Sequence, residues 1–168
     1  MTQASLQEAS PFSEDSPGRE RPLGGYAVLT GSFVALGGGF AAWLRRSGRE
    51  LPDELATRDL VLASVATFKA SRTIARDRVT STIRAPFSRF QGDAGPGEVN
   101  EAARGRGLRR AVGELLICPY CLDMWIAAGF LGGLVAAPRA TRLLESIFAV
   151  VGAADVLQIA YSKAESAV

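Results

Sequence analysis

One uninterrupted run of uncharged residues, from Gly24 to Leu44, constrains the fold of this chain more than any other feature. At about 1.5 Å per residue in an α-helix, the run reaches roughly 30 Å, the thickness of the hydrocarbon core of a bilayer. Each of the three consecutive glycines at 37–39 would destabilise a helix in water by about 1 kcal/mol, whereas membrane helices tolerate glycine better. The run therefore predicts a first transmembrane helix over residues 24–44.

Two further apolar segments lie near the C-terminus, at residues 115–137 and 143–161. Pro138 is expected to end the first segment, because proline cannot continue a helix. Only a short basic turn containing Arg139 and Arg142 separates the two segments. Two helices joined so closely must run antiparallel, so the sequence predicts a C-terminal helical hairpin.

The segment between these apolar runs leaves the number of membrane crossings open. A helix is predicted over residues 52–83, beginning at Pro52, but its apolar stretch is short, Leu60 to Phe68, and arginines follow it. We interpret it as an amphipathic or tilted helix at the cytoplasmic surface, with a full crossing as the close alternative. Gly92 to Val99 is predicted to be an ordered loop or a linker.

The expected fold class is an all-α integral membrane bundle of three or four helices.

The distribution of charge predicts the orientation of the chain. Segment 69–110 holds ten basic and four acidic residues. Cytoplasmic loops of membrane proteins carry an excess of lysine and arginine, so we expect this basic loop and the C-terminus to face the cytoplasm of a bacterium.

Residues 1–23 are interpreted as a disordered polar tail that lacks the basic start and apolar run of a secretory signal. Residues 45–162 form the expected helical membrane domain, and 163–168 a C-terminal tail.

Composition excludes several classes of function. The chain contains no histidine, which removes Ser-His-Asp hydrolysis, Cys-His proteolysis and histidine-ligated zinc or haem. A formal charge of +2 is too small to argue for nucleic acid, and the basic loop offers only Phe87 and Phe90 for stacking. We expect no catalytic residue, no cofactor and no nucleic acid. The lipid bilayer is the expected partner, and a homodimer or another membrane protein is a candidate partner.

The sharpest local motif is Cys-Pro-Tyr-Cys at residues 118–121, the four letters of a glutaredoxin active site. Proline favours the first position of a helix, so Pro119 would begin a helix with Cys118 as its N-cap. The helix dipole would then lower the pKa of the Cys118 thiol. No alternating strand pattern precedes the motif, which argues against the glutaredoxin fold. Cys118 and Cys121 are a candidate thiol pair, with small apolar residues at a helix kink as the structural alternative.

Acidic residues also lie within the apolar stretches. A charge at the centre of a bilayer costs roughly 2.5–3.5 kcal/mol on insertion scales, so these carboxylates should face partners and not lipid. We expect Asp155 to form a buried ion pair with Arg72 or with Lys69, and Asp123 and Glu145 to reach the membrane interfaces. A proton path through these carboxylates is the functional alternative.

Two weaker signals concern metal binding and helix packing. The two cysteines supply half of a zinc or iron–sulfur site, which Asp123, Glu114 or a second subunit would have to complete. Gly129 and Gly133 form a GxxxG pair, which is typical of close helix packing within a chain or between copies.

Three stretches of the chain together resemble a known family. They are RDLVLASVATFKASR at 58–72, APFSRFQGDAGPGEV at 85–99, and GLRRAVGELLICPYCLDMWIAAGFLGGLVAAPRATR at 107–142. These stretches are similar to domain-of-unknown-function family thirteen-sixty, and the resemblance covers roughly residues 55–162. It implies a small helical membrane protein of spore-forming firmicutes or actinobacteria, a link to sporulation through some members, and no assigned activity. The residues on the recurring motif are Cys118, Pro119, Tyr120, Cys121 and Trp125.

The functional expectation is therefore modest. The chain is interpreted as a small multi-pass membrane protein that serves as a structural or accessory component. The alternative is a membrane-embedded thiol redox protein that uses Cys118 and Cys121.

Overall fold

The structure, a computed structural model, describes residues 21–166. In chain order its elements are α1 (Leu23–Ser47), α2 (Thr57–Arg76), α3 (Ser81–Arg84), β1 (Ser88–Gly95), β2 (Glu98–Ala103), α4 (Gly107–Leu116), α5 (Pro119–Ala136) and α6 (Pro138–Glu165). By length and composition, α1, α5 and α6 could each cross a membrane. The mostly helical architecture with these candidate spans confirms that part of the predicted fold class. Most of the tail predicted at 1–23 lies outside the described residues.

Helices α5 and α6 form an antiparallel hairpin with only Ala137 between them. Near the turn, a Cβ atom added to Gly133 would lie 2.7 Å from Oγ1 of Thr141. Further from the turn, the rings of Phe130 and Phe148 meet edge to face, with their centroids 6.4 Å apart. Pro138 occupies the first turn of α6, where a missing backbone N–H costs nothing.

Helix α2 packs against both members of this hairpin. Its buried face includes the small residues Ala63, Ala66 and Ala70, which form a core cluster with Phe130 of α5. Small side chains let helix backbones approach closely, which is how membrane helices gain packing contacts. This alanine stripe therefore explains how a helix with many polar residues lies at the centre of the bundle.

The direction of each helix follows from contacts along its length. Asp59, in the first turn of α2, meets Arg142 near the start of α6, while Lys69 meets Asp155 further along both helices. Helices α2 and α6 are therefore parallel. Since α6 is antiparallel to α5, α2 is antiparallel to α5 as well.

Helix α1 runs parallel to α5. The Tyr26 hydroxyl donates a hydrogen bond to Glu114 in α4, just before α5 begins. Phe33 then meets Trp125 edge to face, with ring centroids 5.1 Å apart. Beyond the end of α1, Nη1 of Arg49 donates to the backbone carbonyl of Ala136, the last residue of α5.

These directions give the bundle two ends. We call the end with the α5–α6 connection the turn end; it also holds the C-terminus of α1 and the N-terminus of α2. The opposite end, which we call the hairpin end, holds the strands, α4, the start of α5 and the C-terminus of α6.

The basic loop contains a β-hairpin, so the all-α prediction was wrong in this segment. Strands β1 and β2 pair antiparallel, from Ser88 opposite Ala103 to Gly95 opposite Glu98. Gly97, at φ 76°, supplies the left-handed conformation that the turn needs. The strands are rich in charged residues and glycine and show no clean apolar alternation, which is why the sequence indicated only a loop.

A fully buried arginine anchors this hairpin. The guanidinium of Arg84 pairs with the carboxylate of Glu101 on β2 and also donates to the backbone carbonyls of Ile74 and Asp77 at the end of α2. Ser88 donates to the same carboxylate. Burial raises the pKa of Glu101, but the hydrogen bonds from Arg84, Ser88 and Ser81 lower it by more. The pKa of Glu101 therefore lies below its ordinary value.

The second helix is shorter than predicted. Helix α2 begins at Thr57 and not at Pro52, and it ends at Arg76. Residues 77–80 form a turn before the short α3. Pro52 and Leu55 instead belong to an irregular segment and line an apolar groove between α1 and α5.

Candidate functional site

The Cys-Pro-Tyr-Cys motif forms the N-terminus of α5, at the hairpin end. Pro119 is the first residue of the helix and Cys118 is its N-cap, as the sequence predicted. The backbone N–H of Cys121 donates to Sγ of Cys118 at 3.2 Å. The sulfur of Cys118 therefore lies at the positive end of the helix dipole, where a thiolate is stabilised.

The two cysteines are joined in a disulfide, with their Cα atoms 5.2 Å apart. They differ in accessibility, because Cys121 is exposed while Cys118 is partly buried. An attacking thiol would therefore reach the Cys121 sulfur more readily. Cys118 would then be the leaving group, at the position where the helix favours its negative charge.

A polar pocket of about 320 Å³ lies next to the motif. Pro119 and Tyr120 form part of its wall, and Tyr120 is 87% exposed. Other lining side chains belong to α2 and to the β-hairpin, and two pairs connect these elements. Arg72 contacts Glu98 at 2.5 Å, and Arg76 donates to Asn100 at 2.9 Å; their partners are both on β2.

Asp123 lines the same pocket, one turn into α5. It is partly buried, and its Oδ1 atom has no hydrogen-bond partner among the described residues. Glu114, the other acidic residue considered for a metal, accepts hydrogen bonds from Tyr26 and Arg110. Within residues 21–166, the structure brings no three cysteine or acidic side chains together as a metal site.

Asp155 forms its ion pair with Lys69, and Arg72 is directed elsewhere. The Asp155 carboxylate lies 2.7 Å from Nζ of Lys69, whereas Arg72 contacts Glu98. The reason is the close approach of α6 to α2 at Gly152, where an added Cβ would lie 3.5 Å from Cβ of Lys69. Arg72 is one turn beyond this contact and faces the β-hairpin.

A second charged cluster, at the turn end, was missed from the sequence. Arg142 donates two hydrogen bonds to the carboxylate of Asp59, at 3.0 and 2.7 Å. Glu145, one turn further along α6, is 0% exposed, and neither carboxylate oxygen has a hydrogen-bond partner among the described residues. Glu145 is therefore buried within the bundle near its turn end, and the expectation that it reaches a membrane interface stays a prediction.

The two glycines of the GxxxG pair have different surroundings. Gly133 faces Thr141 inside the α5–α6 hairpin, and an added Cβ would clash there. Gly129 borders the groove between α1 and α5, and nothing lies within 4 Å of an added Cβ. Only Gly133 is thus needed for close packing within the chain.

Comparison with known proteins identifies relatives of the region that contains this site. A family model described as "Protein of unknown function (DUF1360)" matches residues 62–161, from α2 to near the end of α6. The sporulation protein YjcA of Bacillus subtilis (strain 168) is 30% identical over 107 residues, which are 62% of this chain and 91% of that protein. No solved structure matches significantly. The chain belongs to the DUF1360 family, whose model covers the motif, the β-hairpin and the pair formed by Lys69 and Asp155.

Proposed function

We propose that this protein is an accessory component of the bacterial cytoplasmic membrane that crosses the bilayer four times, with the hairpin end in the cytoplasm. The observation that carries the proposal is the parallel orientation of α1 and α5. If both helices cross in the same direction, the chain between them has to return. Helix α2 runs in the opposite direction and, with 20 residues, reaches about 30 Å.

Asp59 and Lys69, two charged residues of α2, are compatible with a crossing because each has a partner. Asp59 is paired with Arg142, and Lys69 is paired with Asp155. Ionisable residues within membrane segments are tolerated when they face the bundle and pair with one another. Helix α2 also packs on both α5 and α6, which shields one of its faces from lipid.

The number of basic residues at each end supports the orientation. Six lie at the turn end: Arg45, Arg46, Arg49, Arg58, Arg139 and Arg142. The other twelve lysines and arginines of residues 21–166 lie at or toward the hairpin end. The larger number is expected on the cytoplasmic side.

An accessory role fits the resemblance to a protein named for sporulation. Under this proposal, the β-hairpin and α4 form a small polar unit at the cytoplasmic face. This unit is held to the bundle by Arg84 and presents a surface to other components. A homodimer or a second membrane protein is the partner that we propose.

Cysteine accessibility tests the four crossings. In a Cys118→Ser/Cys121→Ser background, single cysteines are placed at Ser47, Ala94 and Ser162, and intact cells are treated with a membrane-impermeant maleimide. We expect labelling at position 47 alone, because the other two positions lie at the hairpin end. If α2 does not cross, positions 47 and 94 lie on the same side, and equal labelling of the two would refute the proposal.

A second candidate function is thiol–disulfide exchange at the cytoplasmic face. It is favoured by the exposure of residue Cys121 and by the position of Cys118 at the helix N-terminus. Disulfides in reducing compartments are usually transient and either catalytic or redox-sensing. The polar pocket beside the motif would accommodate a partner's polar groups.

The exchange would proceed in two steps. A substrate thiolate attacks the Cys121 sulfur, the disulfide breaks, and Cys118 leaves as a thiolate. The second thiolate of the substrate then attacks the substrate sulfur of the mixed disulfide and releases Cys121. The substrate dithiol loses two electrons and becomes a disulfide, while the protein gains them and becomes a dithiol.

Alkylation in isolated membranes tests this candidate. After reduction, the thiols are labelled across a pH series in Cys118→Ser, Cys121→Ser and the native protein. We expect Cys118, in the Cys121→Ser variant, to be labelled well below the ordinary thiol pKa of about 8.5. Cys118 that is labelled only above that pH, or two cysteines that remain inert after reduction, would argue for a structural role.

A further inference from the structure

An apolar groove of about 690 Å³ runs between α1 and α5 in the half of the bundle nearest the turn end. Phe40, Gly129 and Gly132 contribute to its walls. The loop after α1 closes its outer end with Leu51 and Leu55. Both helices are candidate membrane spans, so the groove would face lipid acyl chains and not water.

The length of the groove matches one leaflet of a bilayer. It extends along α5 from Trp125 to Ala136, which corresponds to about 16 Å of helix. This is about half of the roughly 30 Å hydrocarbon core. At its inner end, the edge-to-face contact between Phe33 and Trp125 brings α1 and α5 together. A transmembrane helix of a second copy would need a groove that continues past this contact, whereas a single acyl chain would not.

One basic side chain, Arg49, lies at the outer end of the groove, and two more follow each other in the last turn of α1. Arg49 donates one hydrogen bond to the carbonyl of Ala136, a groove residue, and its guanidinium lies 5.2 Å from the centre of the Trp43 ring. A guanidinium has five N–H donors, so others are available for an anion. Arg45 and Arg46 are exposed in the last turn of α1 and form no ion pair within residues 21–166.

We propose that this groove binds one anionic phospholipid from the leaflet at the turn end. An acyl chain fills the space between α1 and α5, and the headgroup phosphate meets Arg49. This inference rests on the membrane-spanning arrangement proposed above. The groove is apolar where the lipid is apolar and cationic where the lipid is anionic, and this match favours a phospholipid over an apolar partner helix.

Filling the groove tests the acyl-chain part. Gly129→Leu adds a side chain where an added Cβ meets nothing within 4 Å, so the fold should tolerate it. Gly38→Leu is the matched control, since Gly38 also has open space but does not line the groove. Full-length proteins purified in mild detergent are analysed for retained phospholipid by mass spectrometry. We expect the native protein and Gly38→Leu to retain phosphatidylglycerol, and Gly129→Leu to retain about tenfold less.

Replacing the arginine tests the headgroup part. The native protein is expected to prefer phosphatidylglycerol over phosphatidylcholine in a competition between the two. Arg49→Gln should lower this preference about fivefold, the equivalent of about 1 kcal/mol for one basic residue near the surface. Arg49→Lys should retain most of it.

The outcomes separate this inference from the proposed topology. Equal retention by Gly129→Leu and Gly38→Leu would overturn the groove assignment, and so would a native protein without lipid preference. Loss of a cross-linked dimer in Gly129→Leu, with retained lipid unchanged, would assign the groove to a second copy. If accessibility mapping supports four crossings in any of these cases, the topology stands and only the lipid site fails. If the accessibility mapping contradicts four crossings, the proposed topology fails, and the lipid site, which rests on it, fails with it.

Discussion

Arg84 and Glu101 form an ion pair in which both side chains are withdrawn from solvent, with Nε of the arginine 2.9 Å from Oε2 of the glutamate. The pair joins the short helix α3 to strand β2. Through the carbonyls of Ile74 and Asp77 it also reaches the end of α2. One buried cation thus connects three elements of the hairpin end.

Replacing this arginine should loosen the hairpin end. Arg84→Met leaves the Glu101 carboxylate buried without its cation, and breaking a buried pair in this way costs about 3–5 kcal/mol. Arg78→Met is the matched control, because Arg78 and Asp93 form an exposed pair, with side chains 61% and 66% accessible. An exposed pair contributes about 0–1 kcal/mol. Denaturation in detergent measures both, and equal losses would contradict the role given to Arg84.

The same pair predicts a dependence of stability on pH. The pKa of Glu101 lies below its ordinary value of 4.5 in the folded protein, so the unfolded chain binds more protons as the pH falls through that range. Its contribution to stability is therefore complete above about pH 4.5 and is lost as the pH falls further.

Melting temperatures of the native protein and Glu101→Gln, measured from pH 6 to pH 3, test this dependence. We expect the native protein to lose stability more steeply below pH 4.5, because the variant lacks the titrating group. Glu54→Gln, in the exposed loop before α2, should follow the native curve. Parallel curves for all three proteins would show that Glu101 does not contribute.

Residues close together in sequence made much of this fold predictable. The uncharged run that became α1 and the helix break next to Pro138 follow from hydropathy and proline chemistry. The predicted turn residues Arg139 and Arg142, however, belong to α6, and Ala137 alone separates the two helices. The N-terminus of α5 at Cys118 and Pro119 follows from capping preferences. Each of these features depends on the chain within about one helix length.

Features that depend on distant residues were not predictable in the same way. Asp59 and Arg142 are 83 positions apart, and nothing in the sequence around either residue indicates the other. The choice of Lys69 over Arg72 as the partner of Asp155 depends on where α6 crosses α2. The parallel orientation of α1 and α5, on which the number of crossings depends, is likewise a property of the packed bundle alone.

Two substitutions in the charged cluster at the turn end should change the stability of the protein in opposite directions. Glu145→Met replaces a buried carboxylate that has no hydrogen-bond partner with an apolar side chain of similar length, and we expect stabilisation by about 1–3 kcal/mol. Asp59→Leu removes the acceptor of both Arg142 hydrogen bonds, and we expect destabilisation by about 1–3 kcal/mol. Thermal unfolding in detergent compares them. A loss of stability in Glu145→Met would indicate that the carboxylate has a partner in the membrane.

The ion pair between α2 and α6 gives a prediction about folding as distinct from insertion. Asp155→Leu should leave membrane insertion unchanged, because it makes α6 more apolar. It should nevertheless lower thermal stability, because Lys69, whose side chain is only 11% accessible, loses its nearest carboxylate and retains only Asp77, at 3.9 Å. Removing one partner of a buried pair costs up to about 3–5 kcal/mol, and the partial exposure of Asp155 places the expected loss below that range.

The double variant Lys69→Met/Asp155→Leu separates the loss of the pair from the loss of helix packing. If the destabilisation arises because Lys69 is buried without its carboxylate partner, replacing Lys69 as well should recover part of the lost melting temperature. Membrane fractionation shows whether insertion is intact, and thermal unfolding in detergent gives the stability of the native protein and of both variants. If the double variant is less stable than Asp155→Leu alone, the lysine contributes through its other contacts and the pair is not what stabilises the crossing of α2 and α6.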